Sequence, residues 1–556
     1  MSVSDHEQSK DYFDLGSHRR PISTSSPAAQ LWFDRGLVWT YAFNHEEAIR
    51  CFERALEHDP DCAMACWGIA YAIGPNYNKA WDAFDPVELV ETVDRAFTAT
   101  SHALERLAGT SPVEEALIRA IAFRYPAAQI PPDFAAWTTG YAQAMRDVYC
   151  DHAGDLDVAT LFADALMNIT PWQLWDQLSG EPAAGASTTE AKEVLERAMQ
   201  SQAARVHPGV LHMYIHLMEM SAHPERALPA ADQLRDLVPD GGHLRHMPTH
   251  IDVLCGDYRR VVDSNSGAIA ADQKYVQSAG ALNFYTLYRA HNYHFKIYGA
   301  MFLAQAEVAL QTADELSAAL PEKLLRIEVP PMADWAEGFV SMKLHVLIRF
   351  GRWQEIIDTP LPSDRTLFCV TTAMTYYARG VAFAATGRVP QAEEERRQFA
   401  DAVLRVPVTR YLFNNTCLEI LRVAASMLDG EIAYRKANYD EAFGHLRRAI
   451  ELDDGLPYDE PWGWMQPARH AYGALLLEQG RVAEAEVVYL ADLGLSDVLA
   501  RASQHPNNVW SLHGYHECLT RLGKYEPARI IKAQLDLATV HSDVAIKASC
   551  CCRTTA

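Results

Sequence analysis

Apolar residues along this chain return every three to four positions, and almost no stretch alternates with period two. The pattern predicts helices from about residue 27 onward and a β content close to nil. Short polar links, GRWQE (351–355), GRVPQ (387–391), ANYDE (437–441), GRVAE (480–484) and GKYEP (523–527), interrupt the apolar runs. Each suits the turn between two antiparallel helices. The segment GEPAAGASTTE (180–190) reads as a loop.

The helices fall into a repeat. In a 34-residue unit starting at residue 29, Trp32, Gly36, Ala48, Phe52, Ala55 and Pro60 occupy positions 4, 8, 20, 24, 27 and 32. Small residues at 36 and 48 let two helices approach closely. Trp32 and Phe52 fill the space between this pair and its neighbours, and Pro60 closes the second helix. This is the tetratricopeptide spacing. Weaker units carry Gly380, Phe383 and Ala392 in 373–402, Gly430, Ala433, Ala442 and Ala449 in 423–454, and Gly473, Ala485 and Tyr489 in 466–493. A last one begins near Trp510 and Gly514. The fold class expected is all-α: a TPR-type superhelix of antiparallel helix hairpins, an α-solenoid. It should run as one array over residues 27–536, between a disordered N-terminus (1–26) and a disordered tail (537–556).

Composition narrows the partners. The net charge of −23 argues against nucleic acid and against an anionic membrane surface. No apolar stretch is long enough to span a bilayer, and the polar N-terminus is not a secretory signal. The 11 cysteines form no CxxC pair; the scattered ones read as buried, reduced thiols of a cytoplasmic protein, and the run Cys550–Cys552 sits in the tail, with palmitoylation or metal binding as alternatives to disorder. Expected partners are a small molecule, a metal cation or a basic peptide.

Histidine is the unusual element. Of 22 histidines, nine fall between His207 and His294, where an even spread gives about 3.5. His212, His216 and Glu219 are spaced i, i+4, i+7 and share a helix face. His246 and His250 are four apart around Pro248; His291 and His294 are three apart. These six histidines are the expected metal ligands, with Glu219 as ligand or base and His243 as a second catalytic candidate. Imidazole suits copper, zinc or iron, and six could hold two ions. Three imidazoles plus a carboxylate would leave room for water or substrate. The bland reading is that paired histidines on amphipathic helices bind nothing. His207 and His223, each before a proline, suit helix starts and ordinary capping, and His243 suits a turn.

The run HPGVLHMYIHLMEMSAHPERALPAADQLRDLVPDGGHLRHMPTHI resembles a family of TPR-like proteins of similar length found in bacteria and fungi, some near secondary-metabolism genes. The stretches 62–78, 170–175 (TPWQLW), 456–493 and 507–519 (NNVWSLHGYHECL) look like the same family. The GHLxHMPxHI element is the specific part. The resemblance implies a fold and a motif and no settled activity. It also points to Trp172, Glu460, Trp462 and Arg469 as substrate-binding candidates; Tyr288, one of several tyrosines around the histidine patch, joins them as part of an apolar wall with a polar handle. Two functions follow as expectations: a metal-dependent enzyme, by oxygen-dependent oxidation or metal-assisted hydrolysis of a small molecule, or a non-catalytic scaffold that binds a peptide or protein. Serine-nucleophile (GxSxG) and phosphate-loop motifs are absent.

Overall fold

The computed structural model describes residues 12–554. These fall into two compact units rather than the single array expected. The first runs to Ile251 and includes Gly267–Gly280; the second comprises Asp252–Ser266 and the chain from Ala281.

In the first unit, the helices Pro27–Tyr41 and His45–His58 form the opening hairpin, followed by Ala63–Ile73. Local chemistry sets the boundaries. Ser26 Oγ accepts the Ala29 N–H and Pro27 supplies a helical φ at the first position. Asn44 Oδ1 accepts the Glu47 N–H to start the second helix. The repeat spacing has a direct steric cause. A Cβ added at Gly36, or at Gly68 on the third helix, would lie 2.6 Å from Phe52 Cε1. The Phe52 ring is thus wedged between two helices that only glycine lets approach. Ala48 and Ala55 are fully buried beside it.

The helix Pro208–Met218 is buried along its whole length. A helix apolar on every side is a core helix, so its two histidines had to be accommodated inside the unit. Leu156–Met167 packs in the same core, capped by Asp155.

The second unit repeats the hairpin plan in Cys369–Ala385 with Val389–Val403, Cys417–Arg435 with Tyr439–Asp454, Ala468–Glu478 with Val482–Asp492, and Val509–Arg521 with Tyr525–Ala538. Tyr489 plays the part of Phe52, with Gly473 and Gly514 pressed against its ring. Among the described residues, β structure is confined to two isolated bridges and one hairpin, Tyr411–Leu412 against Asn415–Thr416. Segment 180–187 is a loop, and the helix Thr188–Ala198 starts where that loop was expected to continue.

Both ends of the described chain are tied down rather than disordered. Tyr12 Oη donates to Glu47 at 2.7 Å, Asp14 N–H to Asp240 at 2.8 Å, and Arg20 pairs with Asp155 and Asp157. At the other end, Asp543 accepts the Ala306 N–H at 2.7 Å, Ser549 Oγ donates to the His470 carbonyl at 2.8 Å, and Arg553 pairs with Glu517. Cys550 and Cys552, in the run set apart from the scattered cysteines, are disulfide-bonded to each other. Residues 1–11, 555 and 556 lie outside the described residues.

Candidate metal centre

The histidine-rich segment builds its site from three short pieces of the first unit. His207 caps the helix Pro208–Met218, its Nδ1 accepting the Val210 N–H at 3.2 Å, as the His-Pro pattern suggests. That helix carries His212 and His216, and Glu219 follows as its C-cap. The helix Gly242–His246 carries His243 and His246, and Pro248 opens the helix Pro248–Leu254 that carries His250.

These side chains meet. His212 Nε2 and His243 Nε2 are 3.2 Å apart, and His246 Nε2 and His250 Nε2 are 2.8 Å apart. One ligand atom each from His212, His216 and His243 lies within 4.8 Å of the others; so do those of His216, Glu219 and His250. All six groups are at most 2% exposed. His243, expected in a turn, is instead helical and part of the group.

The partners of the opposite ring nitrogens fix which lone pairs face inward. His212 Nδ1 lies 2.7 Å from the Tyr41 carbonyl, which can only accept. His216 Nδ1 and His250 Nδ1 lie 3.1 and 2.8 Å from the two oxygens of Glu219. Each Nδ1 therefore carries the hydrogen, and each Nε2 presents a lone pair. His216 Nε2 is buried with no hydrogen-bond partner. Both imidazoles stay neutral: burial drives His212 down to about 3, and burial with the neighbouring His212 and His246 drives His216 well below the usual imidazole range. Converging neutral imidazoles, anchored on their far sides by a carbonyl and a carboxylate, make a donor set of the kind that could hold a cation.

Aromatic rings close the group. Phe43 lies parallel to His216 and His243, with centroids at 5.8 and 5.3 Å, and 4.6 Å from His212. Tyr77 is 4.9 Å from His216. Trp172 stacks on Tyr77 at 5.1 Å and meets His216 edge-on at 6.0 Å. Trp172 is half-buried and adopts φ +59°, a conformation uncommon for a bulky residue. Sequence spacing had no means of finding Phe43, Tyr77 or the Tyr41 carbonyl, which are remote in the chain and carry no ligand signature.

The remaining predicted residues belong to the second unit and have partners there. His294 Nε2 lies 2.8 Å from the Met465 thioether, its ring 5.3 Å from Phe339; burial and His345 take it down to about 3. His291 packs on Phe295 and Phe413. Tyr288 stacks on Tyr285. Glu460 accepts from Tyr458 Oη, Trp462 Nε1 donates to the Ala502 carbonyl at 3.1 Å, and Arg469 forks onto Asp454. The last three thus contact a hydroxyl, a backbone carbonyl and a carboxylate of their own unit. Glu219, expected as ligand or base, accepts from two imidazoles, His216 and His250.

Two further histidine–aspartate groups are satisfied without a cation. His18, His207, Tyr41 and Arg20 surround Asp157, and since His207 Nδ1 accepts from the backbone, its Nε2–H donates to the carboxylate. In the second unit His470, His505, Asn508 and Ser511 contact Asp492, whose carboxyl lies well below the usual range chiefly through the two histidines, against the cost of burial.

Among known proteins, residues 29–62 match the tetratricopeptide repeat model. No curated protein matches in sequence. Solved structures that overlap the chain include yeast Tom70 (11% identity, TM-score 0.29, covering 91% of this chain and 99% of that one). The APC/C hetero-tetramer Cut9–Hcn1 overlaps at 10% identity and TM-score 0.27, covering 93% and 94%. Naa15/Naa10 bound to HypK-THB overlaps at 13% and 0.21, covering 92% and 70%. Among the described residues no helix is long and apolar enough to cross a membrane. In fold, the chain is an all-α repeat protein of the tetratricopeptide type, built from antiparallel helix hairpins.

Proposed function

We propose that this chain is a metal-binding helical-repeat protein whose first unit holds a transition-metal ion on His212, His216 and His243. The observation that carries the reading is the buried, unpartnered Nε2 of His216, whose Nδ1 is held by Glu219, beside His212, whose Nδ1 is held by the Tyr41 carbonyl. Two imidazoles on one tetrahedral ion, each at ~2.0–2.1 Å, place their nitrogens ~3.3–3.4 Å apart; His212 and His243 stand at 3.2 Å. Three nitrogens leave a fourth position for water or a small ligand, and the half-exposed Trp172 beside His216 marks the approach to it. An ion there acts as a Lewis acid on what occupies that position.

The test is metal analysis of the full chain purified without a histidine tag, then dialysed against zinc at controlled free concentration. Binding that is tight and lost in His216→Ala supports the reading. Metal-free protein that takes up no zinc contradicts it.

A second reading, a scaffold that docks a protein or a basic peptide, is favoured by the tetratricopeptide match at 29–62. The two are compatible, since the buried site leaves the outer surfaces of the helices free to dock. Under the scaffold reading alone, His216→Ala changes stability and leaves metal content at zero throughout.

A further inference from the structure

The core of the first unit repeats its own design. The proposed ion uses His212, His216 and His243. Beside it, His246 and His250 bring their Nε2 atoms to 2.8 Å, near the ~2.9 Å edge that two nitrogens at ~2.0–2.1 Å make when they meet an ion at a right angle. His250 is anchored as His216 is. Its Nδ1 donates to Glu219 Oε2 at 2.8 Å, while Oε1 takes the His216 Nδ1–H at 3.1 Å. One carboxylate thus orients one imidazole of each set and leaves both Nε2 lone pairs pointing away from itself.

The two sets are adjacent. The His216 and His250 rings are 5.7 Å apart by centroid, and His243 and His246, three residues apart on one short helix, are 5.9 Å apart and nearly parallel. Glu219 is completely buried. Its two oxygens each take one imidazole N–H, one from each set.

We infer that the site is binuclear, with a second transition-metal ion held by His246 and His250 and coupled to the first through Glu219. Two ions a few ångströms apart can hold one small oxygen-bearing ligand between them. The inference extends the single-ion centre proposed above.

The experiment is the zinc stoichiometry of the tag-free full chain, by equilibrium dialysis with elemental analysis, repeated with cobalt(II) to read each site by its visible spectrum. The wild type is expected to hold two equivalents. His250→Gln and, independently, His246→Gln should each hold one, keeping the cobalt spectrum of the three-histidine site. His243→Gln should weaken the other equivalent. Wild type with one equivalent, unchanged in both His250→Gln and His246→Gln, overturns the second ion while leaving the first. Wild type with none overturns both. Far-ultraviolet circular dichroism checks that each variant folds, and the wild-type count stands without any variant.

Discussion

Glu219 lies three residues after His216 and takes its Nδ1 hydrogen on Oε1 at 3.1 Å, both groups being fully buried. Because the carboxylate can only accept, this contact sets the tautomer of His216 and turns its Nε2 lone pair inward. The proposed centre depends on that orientation more than on the number of histidines nearby.

Glu219→Gln keeps the shape and removes the charge. The amide can still accept one imidazole hydrogen on its oxygen, but its NH2 opposes the other. Zinc affinity should fall about 10–100-fold, the range seen when outer partners of metal-bound histidines are lost. Competition against a chromophoric zinc chelator measures it. Unchanged affinity would remove Glu219 from the account.

Trp172 meets His216 edge-on and is itself half-buried. Trp172→Ala should leave zinc stoichiometry unchanged and speed its release to excess chelator several-fold, because the stacked Trp172–Tyr77 pair no longer shields the site. Stopped-flow mixing with chelator reads the rate. A release rate equal to that of the wild type would place the ion's route elsewhere.

Acid should destabilise the metal-free protein through these histidines. His212 sits at about 3 in the folded chain through burial, against about 6.5 unfolded. The unfolded state therefore binds more protons below pH 6.5. The histidine's contribution is intact above that pH and is lost progressively as pH falls toward 3. At pH 5 the loss is about 2 kcal/mol for this one residue. Urea unfolding at pH 7 and pH 5 should show His212→Asn losing less stability on acidification than the wild type by roughly that amount; an equal loss in both would contradict it.

The glycine wedge predicts a stability effect remote from the centre. A methyl group at Gly36 meets Phe52 Cε1 at 2.6 Å. Gly36→Ala should destabilise by about 1–3 kcal/mol, as overpacking does, and Gly36→Ala combined with Phe52→Leu should recover part of it. Chemical denaturation of both variants gives the comparison. Gly36→Ala as stable as the wild type would mean that the helices separate freely.

The helix hairpins were legible because their causes are local. Gly36, Ala48 and Phe52 act within one repeat, and the polar links mark each turn. Four site histidines were legible for a similar reason: His212 with His216 and His246 with His250 are neighbours on a helix or across a short helix break. What stayed hidden is tertiary. Nothing in the spacing separates His212, which turns toward the Tyr41 carbonyl 171 residues away, from His294, which turns toward Met465. The ordered termini were missed because their polarity masks specific anchors such as Arg20 on Asp157 and Ser549 on His470.

X-ray absorption at the zinc edge of the loaded His250→Gln protein, in which the second site is disabled, reads the centre alone. The account predicts a four-coordinate ion with three imidazole nitrogens at ~2.0–2.1 Å and loss of one imidazole shell in His250→Gln/His243→Gln. A six-coordinate shell of oxygens without imidazole scattering, the signature of adventitious hydrated zinc, would contradict it.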